Sequence, residues 1–133
     1  MTKEEILNAI GEAGIVGMGG AGFPTRVKLS PKEPDKIDYI IANCAECEPY
    51  ITADYRRMIE TPELLVGGMK VILSLFDNAK GIFAVEDNKP DCIAVYFSLG
   101  ANSPSTHSKP HLLTKTPILL ESSVIYFTFA YHQ

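Results

Sequence analysis

The chain has 133 residues, enough for one domain with a modest core, and 46% of them are hydrophobic while 21% are charged. These values are ordinary for a globular protein, and a net charge of −4 does not favour nucleic acid as a partner. No apolar run approaches the length of about eighteen residues that predicts a transmembrane helix, and the acidic start of the chain lacks the basic region of a signal peptide.

The first predicted element is a helix over residues 2–13, in which Thr2 and Glu5 have the spacing of a capping box. Two prolines among charged residues indicate that residues 27–36 are an exposed connection. The β-branched and aromatic run over residues 36–43 is typical of a buried strand of the parallel type.

Two helices are predicted next, over residues 52–60 and 61–76, and Thr61 and Pro62 have the residue types of a helix start. Gly67 and Gly68 lower the helix propensity of the second one, and we interpret them as sites of close packing. Residues 81–85 predict a second strand, and another helix begins near Pro90. Strand, helix and strand in this order predict a parallel pair with a right-handed crossover.

The pattern changes near residue 97. Residues 98–117 are rich in Ser, Thr, Pro and His without periodicity, while residues 118–131 are strongly apolar and prone to form strands. The sequence therefore predicts an α/β domain over residues 1–96, followed by an irregular C-terminal tail over residues 97–133. A truncated or frame-shifted gene product and a genuine variant ending are both open as explanations of this tail.

Five of the fifteen residues from Gly14 to Lys28 are glycine. Glycine reaches positive φ without steric cost, and it has no Cβ atom to hold a ligand away from the backbone. We interpret this run as a nucleotide- or flavin-binding loop, with a flexible surface loop as the alternative. Gly17, Gly19 and Gly22 match G-x-G-x-x-G by spacing, but a helix precedes them and a proline follows, which disfavours a classical Rossmann turn.

The exit of the first predicted strand is dense in polar groups: it reads Asn43-Cys-Ala-Glu-Cys-Glu-Pro-Tyr. Ligands of open α/β sheets bind at the carboxyl ends of the strands, so this segment is the second candidate site. Glu46 and Glu48 are suited to accept hydrogen bonds from ribose or ribityl hydroxyls. A solvated acidic turn is the alternative interpretation of both.

Three cysteines are an odd number, which favours reduced thiols in a cytoplasmic setting over a disulfide framework. Cys44 and Cys47 form a C-x-x-C pair, but a zinc or cluster site needs about four ligands and only Cys92 remains. Pro49 disfavours the helix start that a redox pair requires. We therefore interpret the pair as partly buried thiols and predict neither a metal site nor a catalytic residue.

Two segments together are more specific than either alone. Residues 17–28 (Gly-Met-Gly-Gly-Ala-Gly-Phe-Pro-Thr-Arg-Val-Lys) and 43–54 (Asn-Cys-Ala-Glu-Cys-Glu-Pro-Tyr-Ile-Thr-Ala-Asp) resemble the flavin-site motifs of the RnfC-like family, the C subunits of Rnf electron-transport complexes. Residues 86–90 (Glu-Asp-Asn-Lys-Pro) continue the resemblance, which covers residues 5 to about 95. The same motifs, in altered form, mark the flavoprotein subunit of respiratory complex I. Ala45, where that flavoprotein has Asp, favours the Rnf-like branch.

The resemblance implies an α/β fold with a short parallel sheet and crossover helices, which binds FMN noncovalently with NADH as the substrate stacked against it. It implies that Lys28 approaches the FMN phosphate or ring. It also implies that Asn43 and Glu46 bind polar groups of FMN and that Glu48 stands near the NADH site. The residues implied to lie against the flavin and nicotinamide are Gly17, Gly19, Gly20, Ala21, Gly22 and Phe23.

Members of that family transfer electrons in an ion-translocating ferredoxin:NAD+ oxidoreductase complex. The resemblance thus implies other complex subunits as partners, ferredoxin indirectly, and a cytoplasmic, peripheral place at the inner face of the cell membrane. The family continues with motifs for 4Fe-4S clusters that this sequence lacks, so we expect the partial FMN- and NADH-binding portion of such a protein. A truncated, catalytically silent α/β interaction module without flavin is the alternative.

Overall fold

The computed structural model describes residues 1–18, 20–46, 50–99, 111–115 and 126–131. The described strands form one four-stranded sheet in the order β3-β2-β1-β4. In chain order the elements are α1 (Lys3–Glu12), α2 (Thr25–Lys28), a 3-10 turn (Pro34–Lys36), β1 (Ile37–Asn43), α3 (Ala53–Glu60), α4 (Pro62–Leu73), β2 (Lys80–Glu86), α5 (Pro90–Ser98), β3 (His111–Lys115) and β4 (Tyr126–Tyr131).

The centre of the sheet is the parallel pair of β1 and β2, in which Ile41 lies opposite Ile82 and Asn43 opposite Ala84. The chain crosses from one strand to the other through α3 and α4, so the predicted parallel pair with crossover helices is confirmed. Because parallel strands end at the same edge of a sheet, the segments after Asn43 and after Glu86 are neighbours.

Two further strands flank this pair. β3 runs parallel to β2, and β4 runs antiparallel to β1. Both come from residues 97–133, for which the sequence predicts an irregular tail, so the structure adds two strands that the sequence pattern leaves unassigned. The helix α5 also continues to Ser98. The domain boundary near residue 96 stays a prediction.

The start of α1 has the predicted capping box. The Thr2 hydroxyl accepts a hydrogen bond from the Glu5 amide at 3.2 Å, and the Glu5 carboxylate accepts one from the Thr2 amide at 2.8 Å. Two backbone donors that the helix itself leaves without partners are thereby satisfied. None of the helices among the described residues is long and apolar enough to cross a bilayer.

The helix α4 begins at Pro62, as predicted, and ends at Leu73, before the predicted end at residue 76. Thr61 occupies the N-cap position, but its hydroxyl donates to the Arg57 carbonyl oxygen at 3.4 Å instead of capping the helix. Because it has no side-chain cap, the helix depends on Pro62 at its first turn and on the packing of its apolar face.

The glycine that permits close packing of α4 on β2 lies in the strand, whereas the sequence predicts it in the helix. Among the described atoms there is no support for Gly67 and Gly68 as close-packing sites, because a Cβ atom on either would meet none within 4 Å. The close approach occurs at Gly81 in β2, where a Cβ atom would lie 2.9 Å from both the Met69 sulfur and the Leu73 Cδ1.

The core lies between the helices and the β1–β2 pair. Apolar burial of this kind is the main stabilising contribution to a domain of this size. On α5, Tyr96 stacks on Phe83 of β2 with 4.8 Å between ring centroids. The largest side chains that are fully buried are Tyr96, Phe83, Ile37, Ile40, Met58, Met69, Val85, Cys44 and Cys92.

Candidate functional site

The glycine-rich segment folds as a small hairpin that closes on itself. The Gly17 amide donates to the Phe23 carbonyl oxygen at 2.8 Å, and the Thr25 amide donates to the Ile15 carbonyl oxygen at 3.0 Å. The tip turns through Gly20 and Gly22, whose φ angles are 93° and 59°. L side chains rarely adopt such angles, so glycine is required there by the turn itself.

The conformation of the loop does not itself require glycine at Gly17. Its φ is not positive, and a Cβ atom there would lie 3.6 Å from the Phe23 carbonyl oxygen, an ordinary van der Waals distance. The surface beside it is open and apolar: Met18 and Phe23 are exposed by 74% and 53%, and Ala21 is exposed too. A bare backbone beside an exposed aromatic ring fits the approach of a flat ligand.

Lys28 ends the short helix that follows this loop. Its side chain is half-buried, and burial lowers the pKa of its amino group from the ordinary value. Of the predicted loop residues, Gly19 lies outside the described part of the chain. The contribution of Lys28 to a phosphate site stays a prediction.

Asn43, at the carboxyl end of β1, is a buried polar residue that is 7% exposed. Its Oδ1 accepts a hydrogen bond from the Ala45 amide at 3.3 Å, whereas its Nδ2 has no hydrogen-bond partner among the described residues. A buried donor without an acceptor costs about 1–3 kcal/mol, so native structures seldom retain one without reason. A ligand rich in carbonyl and hydroxyl oxygens, such as FMN, would satisfy it.

Glu46 follows in the same segment, and its carboxylate is already engaged. Its Oε1 accepts a hydrogen bond from the Asp54 amide at 2.9 Å, and its Oε2 accepts one from the Tyr55 amide at 3.4 Å. The side chain, 2% exposed, therefore caps the N-terminus of α3, where a negative charge is favourable. Its predicted contact with FMN stays a prediction, and Glu48 lies outside the described residues.

A cleft of about 610 Å³ lies between the carboxyl ends of β1 and β2. Lys89 is a partly buried cation in this cleft: its Nζ lies 2.6 Å from Glu86 Oε2 and 3.6 Å from Glu46 Oε2. Burial opposes the charged form of Lys89, but the contacts with Glu86 and Glu46 outweigh it and raise its pKa. The cleft is lined by Glu46, Ile51, Thr52, Tyr55, Glu86, Asn88, Lys89, Pro90 and Asp91.

On the outer side of the cleft, the Tyr55 hydroxyl donates to Asp91 Oδ2 at 2.5 Å. This hydrogen bond raises the pKa of Tyr55 and lowers the pKa of Asp91. The Lys89 ammonium stands 5.8 Å from the centre of the Tyr55 ring, within the range of a cation–π contact. The start of α3 and the start of α5 are thereby linked across the cleft.

The described cysteines are buried thiols. Cys44 is fully buried beside the Ala42 carbonyl oxygen, 3.6 Å from its sulfur, and burial raises the pKa of its thiol. Burial likewise raises the pKa of Cys92 to about 11. A reactive thiol needs a lowered pKa, so neither has the environment of a redox cysteine. Cys47 lies outside the described residues, among which no group of His, Cys, Asp and Glu suits a metal ion.

The structure brings Asn43 and Glu46 together with the second strand exit at one edge of the sheet. The hydrogen bonds of the glycine hairpin, from Gly17 to Phe23 and from Thr25 to Ile15, lie within the loop itself. The sequence interpretation missed Lys89, Tyr55 and Asp91 as members of the cleft. A signal for Lys89 was present, because residues 86–90 carry part of the family resemblance.

Comparison with known proteins agrees with this fold. The sequence model of the Nuo51 FMN-binding domain (Complex1_51K) matches residues 10–116, which extends beyond the predicted end of the resemblance near residue 95. Two solved structures of an NAD+-reducing [NiFe]-hydrogenase, in the H2-reduced and air-oxidized states, share the fold with TM-scores of 0.68 and 0.64. They are 24% and 23% identical, and the matches cover 86% and 85% of this chain but 21% and 20% of theirs.

Two curated relatives are components of ferredoxin:NAD(+) oxidoreductase complexes. The C subunit of the proton-translocating complex of Clostridium ljungdahlii is 50% identical over 93 residues, which are 70% of this chain and 20% of the relative. The C subunit of the Na(+)-translocating complex of Acetobacterium woodii is 43% identical over 104 residues, 77% of this chain and 24% of the relative. This chain thus spans between a fifth and a quarter of their length. The predicted resemblance is confirmed, and the chain belongs to the Nuo51 FMN-binding domain family as an RnfC-like member.

Proposed function

We propose that this chain forms part of an FMN- and NADH-binding site in a component of an ion-translocating ferredoxin:NAD+ oxidoreductase complex. The observation that carries the proposal is the buried Asn43 amide group, which has no acceptor among the described residues and lies at the carboxyl edge of a sheet in this family. Bound FMN would supply the ability to accept a hydride and release single electrons.

The residues of the chain have distinct parts in this proposal. Asn43 Nδ2 donates a hydrogen bond to an oxygen of FMN, and Gly17 lets the flat ring approach the backbone beside Phe23. Lys28 offsets phosphate charge, and its half-buried position strengthens that attraction. The remaining loop positions, including Gly19, and Glu48 near the NADH are assigned on the resemblance.

The names of the relatives support the wider context. Both are components of multi-subunit complexes, so we infer that other subunits of such a complex are the partners of this protein, with ferredoxin an indirect one. We also propose, on the family resemblance, a cytoplasmic and peripheral place at the inner face of the cell membrane. The resemblance assigns the 4Fe-4S clusters of the family to motifs other than those in this chain.

The test is a titration of FMN with the purified chain, followed by quenching of flavin fluorescence. We expect quenching at micromolar protein and a loss of affinity of about tenfold in Asn43→Asp, which keeps the acceptor for the Ala45 amide and removes the Nδ2 donor. Asn78→Asp, the same change at an exposed turn, is the matched control and leaves the affinity unchanged.

Absence of quenching by the unmodified chain contradicts the proposal for this chain. That outcome favours the silent interaction module. Equal affinity of Asn43→Asp and the control would leave FMN binding in place and exclude Asn43 as the donor.

A further inference from the structure

The carboxylate of Glu46 has three partners within the protein, namely two backbone amide donors and one ammonium group. Its two oxygens accept the Asp54 and Tyr55 amides at the start of α3, and Oε2 also faces the Lys89 ammonium at 3.6 Å. The side chain is 2% exposed, and that of Lys89 is 16% exposed, so solvent screens this charge pair little. Its burial leaves this carboxylate little surface on which a ligand could bind.

Lys89 in turn ties together two loops. Its second contact is with Glu86 Oε2, at 2.6 Å, in the last residue of β2. One ammonium group therefore connects the exit of β2 to the exit of β1 and, through Glu46, to the first turn of α3.

The segment between Asn43 and Glu46 is fixed at both of its ends. At one end, the amide of Cys44 donates to the Ala84 carbonyl oxygen at 2.9 Å, which continues the ladder of β1 and β2. At the other end, Glu46 is held by the α3 amides and Lys89. Asn43 is thus presented from a short, doubly anchored piece of backbone, which restricts the position of its amide group.

We propose that Glu46 and Lys89 are positioning residues, which hold the segment at residues 43–46 so that Asn43 is aimed at the cofactor, and that Glu46 is not itself a ligand. This inference rests on the proposed FMN site, and it assigns Glu46 differently from the family resemblance. Lys89 matters as a charge, because without it two buried carboxylates, Glu46 and Glu86, lose their shared cation and repel one another.

The test compares Lys89→Met, which keeps an apolar stem without the charge, with Lys89→Arg, which keeps the charge. Amide hydrogen exchange of the whole chain, followed by NMR, provides a readout that does not depend on FMN. We expect exchange at the Asp54 and Tyr55 amides to rise about fivefold or more in Lys89→Met, the size of a lost capping interaction, while the β1 amides change less than twofold. Lys80→Met, at the exposed start of β2, is the control.

A second variant guards against misfolding. Glu46→Gln keeps one acceptor oxygen and loses the charge, so one of the two amides loses its acceptor, and we expect exchange at that amide to rise at least as much as in Lys89→Met. Unchanged exchange at Asp54 and Tyr55 in both variants overturns the proposal. An even rise across β1 and α3 overturns it as well, since it would show that the ion pair only stabilises the whole fold.

The flavin titration supplies the second readout. We expect FMN affinity to fall about fivefold in Lys89→Met and to return to within twofold of the original in Lys89→Arg. An unchanged affinity in Lys89→Met, with exchange altered, would show that the segment does not aim Asn43 at FMN. Failure of the unmodified chain to bind FMN rejects the proposed function, whereas the exchange measurement still judges the anchoring of the segment.

Discussion

Gly81 in β2 approaches Met69 in α4 so closely that a Cβ atom on the glycine would lie 2.9 Å from the methionine sulfur. Met69 is fully buried, and Leu73, one turn further along the helix, packs equally close to Gly81. The distance between the helix and the parallel pair is therefore set by a missing side chain in the strand. Glycines within the helix have no comparable neighbours among the described residues.

We predict that Gly81→Ala lowers the free energy of unfolding by about 1–2 kcal/mol, because the added methyl group forces buried side chains out of their rotamers. Gly67→Ala is the matched control. Its methyl group meets no described atom, so it should raise the free energy of unfolding by about 0.5–1 kcal/mol through helix propensity. Urea unfolding measures both, and destabilisation by Gly67→Ala would show that residues outside the described set pack there.

At the glycine loop, the prediction separates folding from binding. In Gly17→Ala the new methyl group makes only an ordinary contact, 3.6 Å from the Phe23 carbonyl oxygen, so the free energy of unfolding should change by less than about 0.5 kcal/mol. FMN affinity should nevertheless fall about tenfold, because the methyl group holds the ring away from the backbone. Gly22→Ala, at a φ of 59°, should instead cost about 1 kcal/mol of stability.

Fluorescence quenching measures the FMN affinity, and urea unfolding measures the free energy of unfolding, on the same preparations of both variants. Equal FMN affinity of Gly17→Ala and the unmodified chain would mean that the ligand does not approach the loop at Gly17.

The raised pKa of Lys89 predicts a pH dependence of stability. Because the folded pKa lies above the ordinary value of 10.5, the charge on Lys89 contributes stability that is fully present below about pH 10.5. That contribution is lost as the pH rises through the raised pKa. The stability difference between the unmodified chain and Lys89→Met should therefore shrink above pH 10.5.

Urea midpoints between about pH 8 and about pH 11.5 check this expectation, with Lys80→Met as the control for a general loss of positive charge. A stability difference that stays constant over that range would contradict the assignment of the effect to Lys89.

The two buried thiols should resist modification in the folded protein. The pKa of Cys92, raised to about 11, leaves roughly one part in a thousand as thiolate at pH 8, and Cys44 is shielded by full burial. In a Cys47→Ser variant, iodoacetamide should label neither thiol until denaturant is added, and both afterwards. Mass spectrometry counts the labels, and fast labelling of either thiol before unfolding would refute its burial.

Local signals predicted the parts of the fold that local chemistry determines. Thr2 and Glu5 indicated their helix because a capping box needs only four consecutive residues, and the apolar run of β1 identified a buried strand. The strands β3 and β4 were not placed because the pairing partner of a strand lies far away in sequence, and propensity carries no information on it.

In the candidate site, too, features set by neighbouring residues were predicted and features set by distant partners were missed. Asn43 was predicted to lie at the strand edge, since its position follows from where β1 ends. The role of Glu46 as a cap of α3 was missed because its hydrogen-bond partners stand eight and nine residues later, well beyond the spacing of a capping box. Lys89 was missed as an anchor because a lysine at a strand exit has the same appearance in sequence as a solvated one.

The pairing of β4 with β1 bears on how the protein is made. β1 emerges from the ribosome early, and its partner on the outer side is translated only after β2, α5 and β3. During that interval the hydrogen-bonding groups along one side of β1 stay unpaired, and the strand is apolar. We therefore expect the soluble yield of this protein to depend on chaperone capacity and growth temperature.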